Sequence, residues 1–218
     1  GAPRAALLSP PARGSPGPRP PGGARPGVLD EGPPPRPEAR LHLERDLRAA
    51  IERSDLVLHF QPEVDLATGR TIGAEALLRW QHPDRGLVYP GEFIGLSEET
   101  GLINRIGRWV LAEAVHQART LADRLPDREP LTVSVNLSTR QLSAPNFTRS
   151  VETVLRSYDW PPERLIFEVT ESTLIDDPDA RLEILEEVHA LGVKIAIDDF
   201  GTGFSSLNYL HRFPVDVI

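Results

Sequence analysis

The chain predicts an α/β fold in which parallel strands alternate with crossover helices, and three observations carry that prediction. Short apolar runs rich in Val, Ile and Leu recur at 131–137, 165–171 and 194–198. Between them, apolar residues fall three and four apart, the spacing of helices with one buried face. Ahead of this alternation, two further runs meet at Thr68-Gly69 and read as a hairpin. Strands separated by helices pair in parallel, with the helices laid across the sheet. A doubly wound open sheet and a barrel both satisfy the pattern.

In order, residues 1–38 hold 12 of the 22 prolines and 7 of the 17 glycines. So little apolar surface cannot offset the entropy of ordering, so this segment reads as a disordered Pro/Gly/Arg-rich linker or tail. The run Pro-Pro-Pro-Arg-Pro at 33–37 is weak evidence for a polyproline docking site. The folded domain is expected over 39–218. Leu43, Leu47, Ala50 and Ile51 give an amphipathic lead-in helix, followed by strands at 56–60 and 71–80. Pro90 opens a short helical turn, and Ile103, Ile106, Val110, Ala114, Ala118, Leu121 and Leu125 mark one stripe of a long helix. The strand at 131–137 leads to a helix that Asn146 would cap, with Phe147, Val151, Val154, Leu155 and Tyr158 on its inner face. Pro161-Pro162 ends it before the strand at 165–171. Asp177-Pro178 starts the next helix as cap and first-turn proline, and Gly192 closes it. After the strand at 194–198 come a short helix over 205–211 and a partial strand at 215–218.

Composition narrows the function. The absence of cysteine excludes disulfides, thiolate metal sites and a cysteine nucleophile. A net charge of −8 and a pI near 5.3 disfavour binding to DNA or RNA by phosphate neutralisation. An acidic protein still binds a nucleotide when metal ions stand between carboxylates and phosphates. No apolar run approaches the roughly 18 residues of a membrane helix, and the opening residues are too short for a secretory signal. The chain lacks methionine altogether, and both ends read as cuts within a longer protein.

The 194–198 run ends in two adjacent carboxylates, Asp198 and Asp199, followed by the glycine-rich turn Gly201-Thr202-Gly203. A buried strand that delivers acids to its carboxyl end is where α/β proteins place a site. The competing reading makes Asp199 a helix cap and leaves Asp198 in water. Polar groups at matching places tip the balance: Glu75, Asn136, Glu168 and Asp198, at steps of 61, 32 and 30 residues. Asn136 alone reads as a backbone-satisfying group, whereas Glu168 within Leu-Ile-Phe-Glu-Val and Glu75 between two alanines are costly unless paired or metal-bound. An all-oxygen set suits Mg²⁺ or Mn²⁺ rather than zinc. The six histidines show no ligand spacing, the tryptophans read as packing, and Lys194, the only lysine, is expected to reach solvent.

These residues resemble the EAL domain family, the cyclic di-GMP phosphodiesterases of bacterial signalling. The resemblance rests on Phe60-Gln61-Pro62, on Glu75-Ala76-Leu77 within Ala-Glu-Ala-Leu-Leu-Arg-Trp, and on Asn136 in Val-Asn-Leu-Ser. It continues through Glu168 and Glu171 in Phe-Glu-Val-Thr-Glu and the stretch from Asp198-Asp-Phe-Gly-Thr-Gly to Leu207. Phe60 stands where tyrosine is common. The resemblance implies a modified (β/α)8 TIM-like barrel with an antiparallel first strand, incomplete here with about six strands. It implies that Glu75, Asn136, Glu168 and Asp198 hold one metal ion and Asp199 serves a second, in a two-metal site of Mg²⁺ or Mn²⁺. By the same resemblance Glu75, Asp198, Asp199 and Glu171 are catalytic. Glu171 anchors the loop 201–206, which helps order the metal site and a homodimer contact through the loop and helix after Asp199. Gln61, Leu77 and Arg79 would touch the dinucleotide. The implied activity is hydrolysis of cyclic di-GMP to pGpG in a cytoplasmic parent protein, with any membrane tether outside this chain. The alternatives are an inactive cyclic di-GMP receptor or protein-interaction module, and an inert truncated product. The family's Lys-Ile-Asp motif would fall after Ile218, so the chain alone is expected to be inactive and poorly soluble or partly unfolded.

Overall fold

In the computed structural model the described residues are 37–125, 131–175, 177–198 and 211–218. Nearly all of the expected tail, the residue Asp199, the loop 201–206 and most of the short helix at 205–211 lie outside them. The lead-in helix α1 (Pro37–Arg53) is followed by the hairpin β1 (Leu56–Val64) and β2 (Thr71–His82). A short β3 (Gly86–Val88) folds back on β2, and α2 (Ile94–Thr100) and the long α3 (Ile103–Arg124) lead to β4 (Thr132–Asn136). Then come α4 (Thr139–Leu142), α5 (Phe147–Ser157), β5 (Leu165–Thr170), α6 (Glu171–Ile175), α7 (Pro178–Ala190) and β6 (Lys194–Asp198).

One sheet runs β1-β2-β4-β5-β6, antiparallel at β1–β2 and parallel from there on. The expected fold class, a barrel-like α/β sheet opened by an antiparallel strand, is the one observed. Val217 makes a parallel bridge to Ala196, extending the sheet beyond β6. The hairpin turn is tied by Asp65, whose carboxylate accepts from the Thr68 N–H and hydroxyl, both at 2.7 Å. These bonds hold the Asp65 carboxyl below its ordinary value. Gly69 takes φ +67, the left-handed conformation that the turn needs. Among the described residues β1 pairs only with β2, so Pro62 removes no donor from a second ladder there.

Each strand has two unlike faces. Val133, Val135, Leu165, Phe167, Val169, Ile195 and Ile197 are at most 4% exposed and belong to the core between sheet and helices. Their neighbours, one residue on, turn to the other face, the lumen of the barrel. Trp80 and Phe93 meet edge-on with ring centroids 5.7 Å apart, and α1 joins the same core through Leu47 and Ala50. The helix stripes come out as read, except that Leu121 and Leu125 at the far end of α3 are 43% and 39% exposed.

Two expected caps differ. Asn146 and Asp177 do occupy the N-cap positions, but in left-handed conformations (φ 63 and 56), and neither side chain makes a capping hydrogen bond. Their role is the turn that redirects the chain. Gly192 ends α7 as expected, at φ +97, its N–H donating to the His189 carbonyl at 2.8 Å.

Candidate active site on the lumen face

Register decides which side chains meet. Glu75 lies beside Ser134, Asn136 beside Glu168, and Thr170 beside Asp198. Because residues two apart share a face, Glu75, Ser134, Asn136, Glu168 and Asp198 all stand on the lumen face of four neighbouring strands. Asn136 and Asp198 end β4 and β6, and Glu168 lies two residues from the end of β5. Glu75 is mid-strand in β2, yet the parallel pairing of β2 with β4 stops at Ala76. It therefore sits at the carboxyl end of the barrel wall like the others. Beyond Ala76 the same edge of β2 is taken by β3, which pairs with Trp80, Gln81 and His82.

The contacts bind this group together. The Asn136 amide donates to Glu75 Oε1 at 2.7 Å, which leaves its own oxygen free. The backbone N–H of Leu137 donates to the Glu168 carbonyl at 2.8 Å, locking the end of β4 to β5. Glu168 has its carboxyl pushed up to about 7, chiefly by burial and then by the charge of Glu75. Ser134 opposes this in part, while Asp198 and Glu63 add to it. Burial and the neighbouring acids thus make Glu168 keep its proton to higher pH than an ordinary carboxyl.

The other predicted residues take several settings. Gln61 is exposed on β1, directly across from Glu75. Leu77 and Arg79 are half-buried on the same face of β2, where it pairs with His59 and Val57. The Arg79 guanidinium lies 4.9 Å from the centroid of the Tyr89 ring and donates to the Leu78 carbonyl at 2.7 Å. Glu171, the first residue of α6, is 4% exposed. Lys194, expected in solvent, is half-buried at the start of β6 in the Glu75 and Ser134 tier of the lumen. Sequence reading missed Glu63 and Ser134. A serine in a strand gives no signal by itself, and Glu63 acts across two strands.

The donors are of the right type for a hard divalent cation: carboxylates, an amide oxygen and no sulfur or imidazole. The acids gathered beside Glu168, namely Glu75, Asp198 and Glu63, fit the same ion. Among the described residues, no three acidic or histidine side chains already close around one point. A cavity of about 1370 Å³ lies elsewhere, between the start of β2 and the far half of α3, and none of the predicted site residues lines it.

Comparison with known proteins settles the family. The model of the EAL domain matches residues 44–218. The chain belongs to the EAL domain family. MucR of Pseudomonas aeruginosa, described as a bifunctional diguanylate cyclase/cyclic di-GMP phosphodiesterase, is 50% identical over 177 residues, 81% of this chain and 26% of MucR. The signaling protein YkoW of Bacillus subtilis is 44% identical over 176 residues, 81% of this chain and 22% of YkoW. This EAL chain thus spans about a quarter of the length of these relatives. The solved MucR phosphodiesterase in complex with c-di-GMP superposes with a TM-score of 0.76 at 50% identity, covering 81% of this chain and 71% of that one. The FimX EAL domain from Pseudomonas aeruginosa, bound to c-di-GMP, gives 0.71 at 25% identity over 80% of this chain and 69% of that one. Among the described residues, no helix is long and apolar enough to cross a membrane.

Proposed function

We propose that the protein containing this EAL domain hydrolyses cyclic di-GMP to pGpG in a reaction that depends on divalent metal. The observation that supports it is the convergence of Glu75, Asn136, Glu168 and Asp198 from four adjacent strands onto one face of the sheet, at the carboxyl end of the parallel wall. These four would hold Mg²⁺ or Mn²⁺, with Asp199 serving a second ion. Bound there, the ions would supply charge stabilisation for an in-line phosphodiester displacement and a water of lowered pKa. Glu75 is oriented by the Asn136 amide, which fixes its carboxylate toward the lumen. Glu168 is the group that must lose its proton to serve as a ligand, and its raised pKa makes that step favourable only above about neutral pH unless positive charge arrives. Gln61, Leu77 and Arg79 line the rim on β1 and β2 and would bind the dinucleotide, Arg79 by the fork geometry of guanidinium on phosphate. Its seat against Tyr89 keeps that fork near the rim before any ligand binds. Buried Glu171 would anchor the loop that follows Asp199.

The test is turnover by the full-length protein. Purified with Mg²⁺ or Mn²⁺, it should convert cyclic di-GMP to pGpG, read by chromatography, and Glu75→Gln should stop the conversion. Tight binding without turnover in the unaltered protein would overturn the enzyme reading in favour of a receptor. Neither binding nor turnover would sink both.

A further inference from the structure

Glu63 is a lumen carboxylate that the proposed reaction leaves unused. It sits on β1 opposite Gly73 of β2, beside the irregularity where Ile72 is passed over in the pairing. The glycine is what lets its side chain travel. With nothing standing at position 73, Glu63 reaches across β2 and accepts from the Ser134 hydroxyl on β4 at 2.8 Å. A Cβ at Gly73 would lie 2.5 Å from Glu63 Oε2 and 2.1 Å from Thr132 Oγ1, well inside contact distance. Ser134 is 1% exposed, so its hydroxyl has no solvent to turn to.

A hydroxyl has one proton to give. Ser134 donates to Glu63 and stands on the lumen face of β4, whose next lumen residue, Asn136, borders Glu168. The proton it gives to Glu63 is not available to another carboxylate of the lumen. Glu63 also carries its own negative charge into the same lumen. Both effects make the lumen more attractive to a positive ion, although Glu63, one tier below Glu75 and two below Glu168, is too low to ligate it.

We propose that Glu63 is a positioning residue that sets the affinity of the lumen for its divalent cation, through its charge and through its hold on Ser134. The proposal rests on the metal-dependent reading above.

The experiment uses the full-length protein and Mn²⁺ alone as probe, titrated by electron paramagnetic resonance with no dinucleotide present. Glu63→Gln keeps an acceptor for Ser134 but removes the charge, and should weaken Mn²⁺ binding roughly 3- to 10-fold, less at high salt. The metal-free melting temperature should stay within about 2 °C of the unaltered protein. Ser134→Ala keeps the charge and should not weaken Mn²⁺ binding. Unchanged affinity in Glu63→Gln overturns the proposal. So does equal weakening in both variants together with a fall in melting temperature, which is the signature of a merely structural contact. Should Glu168→Gln leave Mn²⁺ binding intact, the cation-site reading itself fails, a separate result.

Discussion

The two faces of β4, β5 and β6 share a backbone and little else. On the helix side Val135, Phe167 and Ile195 sit side by side in register, all at most 2% exposed. On the lumen side the neighbouring row is Asn136, Glu168 and Ala196. One face is filled to exclude water, and the other collects charges that repel one another. The lesson is a division of labour at single-residue resolution: stability is drawn from one set of side chains, and the proposed site stands on the alternate set.

Substitutions on each face should therefore fail differently. Phe167→Ala, on the packed face, should cost about 3–5 kcal/mol of stability in denaturant titration, because a large buried ring leaves a cavity. Glu75→Gln, on the lumen face, should lower the proposed turnover by about 100-fold or more while stability changes by less than about 1 kcal/mol. A large loss of stability in Glu75→Gln would break the division. Gly73→Ala tests the seam between the faces. Its methyl would strike Thr132 and Glu63, for an expected cost of about 1–3 kcal/mol.

The acidity of the lumen gives a subtler test. Glu168 is raised from an ordinary 4.5 to about 7, so between those values the folded state holds a proton that the unfolded state has released. Stability of the metal-free protein should then fall as pH rises through that window, read as a lower urea midpoint at pH 8 than at pH 5. Mg²⁺ should recover more at pH 8 than at pH 5, and the reverse order would contradict the charge-concentration argument. The smallest effect belongs to Trp80→Phe. The indole N–H of Trp80 is buried without a hydrogen-bond partner, so losing it offsets part of the lost packing, and the net cost should be within about 1.5 kcal/mol.

How much of this was legible in the sequence follows the same division. The packed face announced itself through apolar periodicity, which is local and needs no knowledge of pairing. The acids on the lumen face stood out because Glu168 interrupts an apolar run and Asp198 ends one, and burial makes such interruptions costly. Glu63 stood among polar residues at a strand end and gave no such signal. Its partner is 71 positions away, and the bond depends on the empty space at Gly73 in between. β3 went unread because three residues, Gly86 to Val88, are too few to show a period. The caps at Asn146 and Asp177 were read from residue type, but type does not report the sign of φ, and left-handed turns also favour these residues.

The change of partner along β2, from β4 up to Ala76 to β3 from Trp80 onward, gives one ribbon two employments. Its first half is a stave of the vessel, fixed on both edges by the sheet. Its second half is a spout, steadied by a short flap of its own. Alterations in that flap should retune how a nucleotide is gripped at Leu77 and Arg79 and leave the oxygens below where they are. The proposed grip and the proposed oxygen cluster could thus be reshaped separately, though β2 contributes to both.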